Sequence, residues 1–565
     1  MNDSRENAVL TASEIAPLIL GPQKRFYVLA LIYGVAISAL TLSVPLSVQV
    51  LITTVTNSAL TQQVIVLALI LFVLLSFSAL FAALQAYVME LFEREFFSGT
   101  VSEVSLRLVY ASFGHLEQIN RDDLVNRYFD IMTIQKSLPP LLTGVLATGL
   151  QTAVGVAVTS VYHPVFLLLN VSVMLFAYLV YRAFDSGASK TALELSETKY
   201  QAARWLESLT HANSFFKSHR TVSYAIDKTN EVKADYVAAH KRHFRFTFLQ
   251  IVGFLVMFAT SSATLLGVGG WLVIQGELTV GQLVAAELIL AGIFYGFTRY
   301  GYYLELYYDA YAALHKLANF YTTEIEDINK SSQIEDWEPS VIADGVAFSV
   351  NGDEFELDWQ CAPGRSTLVE TRSAPQIKAF TDVIQNFARP QSGEIFLGGH
   401  AISDFNAHDL RDRVHVIDST TFPECTIAAY LSIAAPAASR ARMREVLDIV
   451  RLRRVDDLDQ LLTPYGYPLT ESGCIKLKIA FAILAQPKVI IMTPLFDTLS
   501  KEARQSITEA LRGNNQTTLL CFSHRRDLDA FDDFMFWNFH EQNSFDSIEA
   551  LDEAVKAADQ AEAEL

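Results

Sequence analysis

Between Phe26 and Met89 the chain has no aspartate, glutamate, lysine or arginine. A soluble domain of ordinary composition leaves no stretch of that length uncharged. A bilayer-crossing helix takes about 20 apolar residues, so the run holds two crossings joined by a turn near Thr53–Gln63. Cysteine is scarce: Cys361, Cys425, Cys474 and Cys521 all fall late and far apart. That spacing excludes a zinc site or a short disulfide scaffold and suits buried, reduced thiols. Basic residues fall short, 43 against 62 acidic ones, for a net charge of −19. This excludes a nucleic-acid partner, since a phosphate backbone demands an excess of lysine and arginine. The stretch before Phe26 lacks the basic start and small-residue cleavage site of a secretory signal.

What is present is apolar. Of 565 residues 51% are hydrophobic and 19% charged, and the mean hydropathy is +0.25. A second uncharged run, Ser137–Tyr181, breaks at Tyr162–Pro164 into another pair of spans. Phe246–Gly276 and Gly281–Tyr308 make a third pair. Glu287, Arg299 and Glu305 sit in or near the last span and are candidate cavity residues, because a charge there is costly unless it faces protein or water. Snorkelling at the cytoplasmic end is the plainer reading for Arg299 and Glu305. The long polar segments Glu90–Lys136 and Arg182–Arg245 carry many lysines and arginines, and the three short loops opposite carry none. The positive-inside rule then puts both termini and both long segments in the cytoplasm. Their composition is helical, as extensions of the spanning helices. The aromatic cluster Phe294–Tyr311 reads as an interfacial belt plus helix packing in preference to a substrate-binding surface.

After Lys316 the pattern changes. Thr322–Ser340 is polar and suits a linker. Strand-like runs follow: Val341–Val350 and Asp353–Gln360 as a hairpin about Asn351-Gly352, then "STLVE", "GEIFLGG", "VHVI", "KVIIM" and "TTLLCFS". Helical segments such as Ser439–Arg453 and Cys474–Gln486 intervene, which predicts an α/β domain with a largely parallel sheet. The end, Ser547–Leu565, is acidic and alanine-rich, as in a solvated or frayed helix. The expected organisation is a segment 1–24, a six-helix transmembrane bundle over 25–320, a linker 321–340, an α/β domain 341–545 and an acidic tail 546–565. The six spans fall at about 26–52, 64–89, 138–162, 165–182, 246–275 and 281–308.

Taken together, "VGGWLVIQGELTVGQLVAAELILAG" (Val268–Gly292), "FGHLEQINRDDLVNRYFD" (Phe113–Asp130), "SGEIFLGGHAISDFNAHDLRDRVHVI" (Ser392–Ile417), "LAQPKVIIM" (Leu484–Met492) and "TTLLCFSHR" (Thr517–Arg525) resemble an ABC exporter half-transporter. The likeness covers nearly the whole chain and is strongest to the peptide and protein exporters of type I secretion. It implies a six-helix bundle followed by an ABC-type nucleotide-binding-like domain, in a bacterial inner membrane, and a peptide or protein cargo.

The resemblance also places the nucleotide motifs, and the residues depart from them. The phosphate loop falls on Glu370–Ile377: Glu370, Ser373 and Pro375 replace its glycines, Gln376 its lysine and Ile377 its magnesium-binding hydroxyl. Such a loop works by converging N–H groups and a lysine on phosphate; Pro375 has no N–H, and Glu370 adds an anion. Lys378, two residues further along a helix, points elsewhere. The acidic pair becomes Thr493 and Pro494, the adenine-stacking aromatic Val350, and the loop glutamine Ser419. The signature becomes Leu469, Thr470, Glu471, Ser472 and Gly473. His524 alone is retained. The resemblance therefore implies a degenerate domain with no catalytic residue, metal site or cofactor of its own.

Exporters of this family act as dimers. The first expectation is a heterodimer with a second, ATPase-competent half-transporter whose site holds ATP and magnesium, with other secretion-system components as further partners. A damaged signature weakens the composite site as well. The alternative is a non-transporting membrane scaffold or sensor derived from an exporter, and a third reading, an atypical ATPase, has the least support in the phosphate-loop chemistry.

Overall fold

The computed structural model describes residues 17, 19–57, 61–114, 121–321, 324–326, 334, 336–350, 353–371, 373–452, 457–512, 516–526, 531–539 and 541–563. Its contacts divide the chain into two units, Met1–Ala111 with His115–Ile325, and Ser112–Gly114 with Glu326–Leu565. Of the expected linker 321–340, only 321, 324–326, 334 and 336–340 are described.

Where charge is lacking the backbone is helical, because in hydrocarbon every N–H and C=O must be satisfied within the segment. The first unit runs α1 (Lys24–Thr41), α2 (Ser43–Asn57), α3 (Thr61–Tyr110), α4 (Arg121–Pro140), α5 (Leu146–Tyr162) and α6 (Pro164–His211). It continues through α7 (His219–Ile274), α8 (Val280–Thr298) and α9 (Tyr300–Tyr321). Five described stretches are long and apolar enough to cross a bilayer: Gly21–Val55, Thr61–Tyr110, Tyr128–Tyr162, Pro164–His211 and His219–Ile274. The chain is a multi-pass integral membrane protein.

The sixth expected span differs in detail. Instead of one helix over 281–308, α8 and α9 meet at Arg299, and the apolar stretch Val280–Ile293 is shorter than the other five. The Arg299 N–H bonds to the Gly296 carbonyl at 3.0 Å, a three-residue closure that tightens the last turn of α8. Gly296 lies so close to α5 that a Cβ there would come within 2.5 Å of the Thr148 side chain.

At 1.5 Å per residue, the 50 residues of α3 span roughly 75 Å and the 56 of α7 roughly 84 Å, more than twice a bilayer's hydrocarbon core. The long polar segments thus continue the spanning helices. The start of α7 is fixed by a capping box: the Thr221 N–H donates to Ser218 Oγ at 3.3 Å, and the Ser218 N–H to Thr221 Oγ1 at 3.2 Å. Between α4 and α5, after Pro139-Pro140, the backbone widens into a π-turn at Leu141–Val145. Buried amides join helices across the bundle. Gln85 Nε2 donates to the Ala30 carbonyl (3.0 Å), Asn170 Nδ2 to Thr159 Oγ1 (2.9 Å) and Gln250 Nε2 to the Tyr308 hydroxyl (2.9 Å).

The second unit is α/β. Its strands are β1 (Val341–Val350), β2 (Asp353–Cys361), β3 (Ser366–Thr371), β4 (Ser392–Leu397), β5 (His400–Ala401) and β6 (Val414–Ile417). They continue as β7 (Cys425–Thr426), β8 (Leu461–Leu462), β9 (Val489–Met492), β10 (Thr518–Phe522), β11 (Asp533–Trp537) and β12 (Gln542–Phe545). An antiparallel sheet has the order β2-β1-β4-β5. A six-stranded sheet has the order β12-β11-β3-β10-β9-β6, parallel except for β12 at its edge. Every residue of β3, β9 and β10 is buried, as in a parallel sheet covered on both faces. The strands expected from the short apolar runs are all present. β1 and β2 pair antiparallel as the hairpin reading requires, with Val350 opposite Asp353; the dipeptide Asn351-Gly352 lies outside the described residues.

The helices of this unit are α10 (Ala374–Ile384), α11 (Ala407–Arg413), α12 (Ile427–Ala434), α13 (Arg440–Ile449), α14 (Glu471–Ala485), α15 (Lys501–Arg512) and α16 (Ile548–Ala563). Trp359, Phe380 and Trp537 centre one core, with Trp537 5.3 Å from Trp359 and 5.2 Å from Phe380 between ring centroids. The acidic tail is not the solvated helix its composition suggests. In α16, Leu551 is fully buried in the second core and Val555 and Ala558 pack against it, because the apolar residues recur on one face.

Candidate functional site

The candidate site lies where β3 passes into α10. Only residues 372 and 373 separate strand from helix. Ser373 is the N-cap, and its Oγ and carbonyl both accept from the Gln376 N–H, at 3.3 and 3.1 Å. Its carbonyl also takes the Ile377 N–H at 3.3 Å. Pro375, in the first turn, has no N–H to offer. The amide donors that a helix N-terminus presents to an anion are therefore largely engaged within the turn.

The side chains close the turn further. Gln376 is 1% exposed; its Oε1 accepts from Thr371 Oγ1 at 2.9 Å and its Nε2 donates to the Asn538 carbonyl at 3.0 Å. Ile377 points into the core. Lys378 lies one step on and pairs with Asp382 at 2.8 Å. Glu370, on β3 and 6% exposed, meets two partners: His524 Nδ1 at 3.0 Å and the Arg526 guanidinium at 2.6 Å. Arg526 also reaches Asp552 of α16 at 3.4 Å. The His524 N–H donates to Asp497 Oδ2 at 2.9 Å, and the Ser523 hydroxyl donates to Asp497 Oδ1. Chemically, the turn presents a carboxylate already paired and an amide already bonded.

The remaining positions are spread over neighbouring elements. Thr493 follows β9, and its hydroxyl donates to the Ile417 carbonyl at 2.7 Å; Pro494 opens the short turn Pro494–Thr498. Ser419 accepts from Lys478 Nζ at 2.6 Å, and burial holds the Lys478 amine below its ordinary pKa. Val350 ends β1. Leu469 precedes α14, Thr470 caps it by accepting the Gly473 N–H at 3.2 Å, and Glu471 and Ser472 fill its first turn. In the membrane unit, Glu287 is half-buried on α8, while Arg299, at the α8–α9 joint, and Glu305, on α9, are exposed. None of the three lines the cavity of about 630 Å³ found in that unit. Among the described residues no group of three His, Cys, Asp or Glu side chains is placed to hold a metal ion. Sequence reasoning missed Arg526, Asp497 and Asn538. The two arginines after His524 were visible, but not that one of them reaches Glu370.

No family model matches the chain. An uncharacterized ABC transporter ATP-binding protein, YknU of Bacillus subtilis, is 22% identical over 463 residues, 76% of each chain. The leukotoxin translocation ATP-binding protein LktB of Mannheimia glucosida is 21% identical over 530 residues, 89% of this chain and 72% of LktB. Six other curated relatives are spanned over only 35–47% of their own length. The solved structure of a bacterial Atm1-family ABC exporter with ATP bound superposes with a TM-score of 0.81 at 18% identity, covering 95% of this chain and 98% of that one. The chain has the ABC exporter fold.

Proposed function

We propose that this ABC-exporter-type membrane chain is the catalytically degenerate member of a two-chain exporter, supplying half of the export path to an ATPase-competent partner. The observation that carries the reading is the closed turn at β3–α10, with Glu370 paired to His524 and Arg526 and Gln376 bonded to Thr371 and Asn538. A triphosphate with its magnesium needs open N–H groups, a lysine and a metal-binding hydroxyl there. This chain has a carboxylate, a proline and an amide instead, so the residues do not fit the group. Thr493 and Pro494 supply neither a metal ligand nor a base, and loss of a general base alone typically costs about 10²–10⁴ in rate. ATP and magnesium belong to the partner's site. Glu471, in the first turn of α14, sets a negative charge on the surface that would complete that site, which favours slow turnover in the pair.

The same reading places the chain in a bacterial inner membrane, with both termini and the second unit in the cytoplasm, as the distribution of lysine and arginine supports. LktB is named for leukotoxin translocation, and by that likeness a peptide or protein is the first cargo to test.

The test is purification of the full chain from native membranes. A second ABC half-transporter with intact motifs should come with it, and ATPase activity should require that second chain. Recovery only as a self-paired dimer, or ATP hydrolysis by this chain alone, would overturn the proposal.

A further inference from the structure

In the second unit β2 is the outer strand of one sheet and β12 of the other, and both border a groove of about 600 Å³. An outer strand carries a row of N–H and C=O groups that no neighbouring strand takes. At one end of the groove a side chain takes them instead. Gln542 Oε1 accepts from the Asp358 N–H at 2.8 Å, and Gln542 Nε2 donates to the Glu356 carbonyl at 2.8 Å. One residue of a parallel strand laid beside β2 would make this same pair of bonds. Groups aimed off the edge recur at every second residue, so the next pair is the Asp358 carbonyl and the Gln360 N–H. Both residues line the groove, and among the described residues no loop or side chain takes either group. The Gln542 amide thus imitates the first contact of an added strand, and the position for the second is open.

The groove also has a sign of charge. Along β2, Glu354, Glu356 and Asp358 are exposed, and the strand has no lysine or arginine. Arg365, the basic residue in the groove wall, is held by Asp533 through two bonds of 2.8 Å and donates to the Asp532 carbonyl at 3.1 Å. A strand added to this edge would lay every second side chain beside a carboxylate, where an opposite charge is favoured. We infer that the β2 edge takes an extended, lysine- or arginine-rich peptide segment of a partner protein as an additional strand. Main-chain bonds to Asp358 and Gln360 hold the segment, and the carboxylates of β2 select its basic side chains. The site lies wholly within the second unit and does not depend on which chain hydrolyses ATP.

The test uses full-length chain in a non-ionic detergent and the fluorescein-labelled peptide KVKVKVK, with binding read by fluorescence anisotropy. KVKVKVK should bind and the acidic EVEVEVE should not. In the parallel sense that Gln542 takes, the residue opposite Trp359 bonds to the edge, and its neighbours lie beside Asp358 and Gln360. The valine nitrogens are then the donors, so methylating them should weaken binding at least about ten-fold, while methylating the lysine nitrogens should leave it within about two-fold. Gln360→Pro removes one outward N–H at an edge position, where proline is tolerated, and should weaken binding by about 2–10-fold. Asp358→Lys changes an exposed side chain; it should weaken KVKVKVK and admit EVEVEVE, and it keeps the test decisive should Gln360→Pro not fold. No binding of KVKVKVK, or binding indifferent to N-methylation and to both substitutions, overturns the inference. Self-association of the parent chain that Gln360→Pro abolishes, seen by light scattering, would assign the edge to a second copy and overturn the basic-peptide assignment.

Discussion

Replacing Glu370 by alanine should destabilise the second unit although it removes no apolar contact. The carboxylate is 6% exposed and accepts from His524 and Arg526. Removing one partner of a buried ion pair typically costs about 3–5 kcal/mol, because the other charge is left uncompensated. Here the loss is smaller: the Arg526 side chain is 25% exposed and keeps Asp552 within 3.4 Å, and His524 is more than half exposed. A cost of about 2 kcal/mol follows, which for a unit of this size lowers Tm by roughly 4–8 °C. Tryptophan fluorescence of the detergent-purified chain reports the unit, since Trp337, Trp359 and Trp537 lie in it against Trp205 and Trp271 in the other. Glu370→Ala combined with Arg526→Gln should cost less than the sum of the two single changes. A Glu370→Ala chain as stable as the parent, or more so, would refute the reasoning, because the pair would then contribute nothing net.

Three further outcomes are expected. Gln376→Lys should not restore binding of radiolabelled ATP with magnesium, because Pro375 and the two-residue turn remain; measurable binding by this single change would sink the closed-turn account. Thr470→Ala removes the cap of α14 and should cost about 1 kcal/mol, read as a lower Tm that Thr470→Ser largely restores. Asp532 should make the chain acid-sensitive. Partial burial alone would raise its carboxyl, but the N–H and hydroxyl of Ser366 and the guanidinium groups of Arg512 and Arg365 hold it below its ordinary value. Its stabilising contribution is then full above the unfolded value near 3.9 and is lost as pH falls through the lower folded value. Asp532→Asn should flatten the fall in Tm between pH 5 and pH 3, and an unchanged profile would count against the assignment.

The spans were legible because a bilayer permits few residue types, and an uncharged run such as Phe26–Met89 has few other readings. The strands were legible because a sheet buried on both faces demands short apolar runs, as at Val489–Met492. What escaped had one of two causes. The joint at Arg299 leaves no mark in the apolar pattern, and the close approach of Gly296 to Thr148 beside it joins residues far apart in sequence. Composition hid the packing of α16, although Ile548, Leu551, Val555 and Ala558 do fall on one helical face. In the candidate site, the strand and helix around Glu370–Ile377 were legible from the apolar runs on either side. The partners of Glu370 and Gln376 were not, since Arg526 and Asn538 come from more than 150 residues downstream.

Arg526 touches both the strand β3 that leads into the closed turn and α16. One guanidinium group therefore fastens the last helix to the strand at the centre of the buried sheet. A truncation ahead of Asp552 would not merely shorten the protein; it would slacken the grip on Glu370, so damage at the far end would be felt at the heart of the domain.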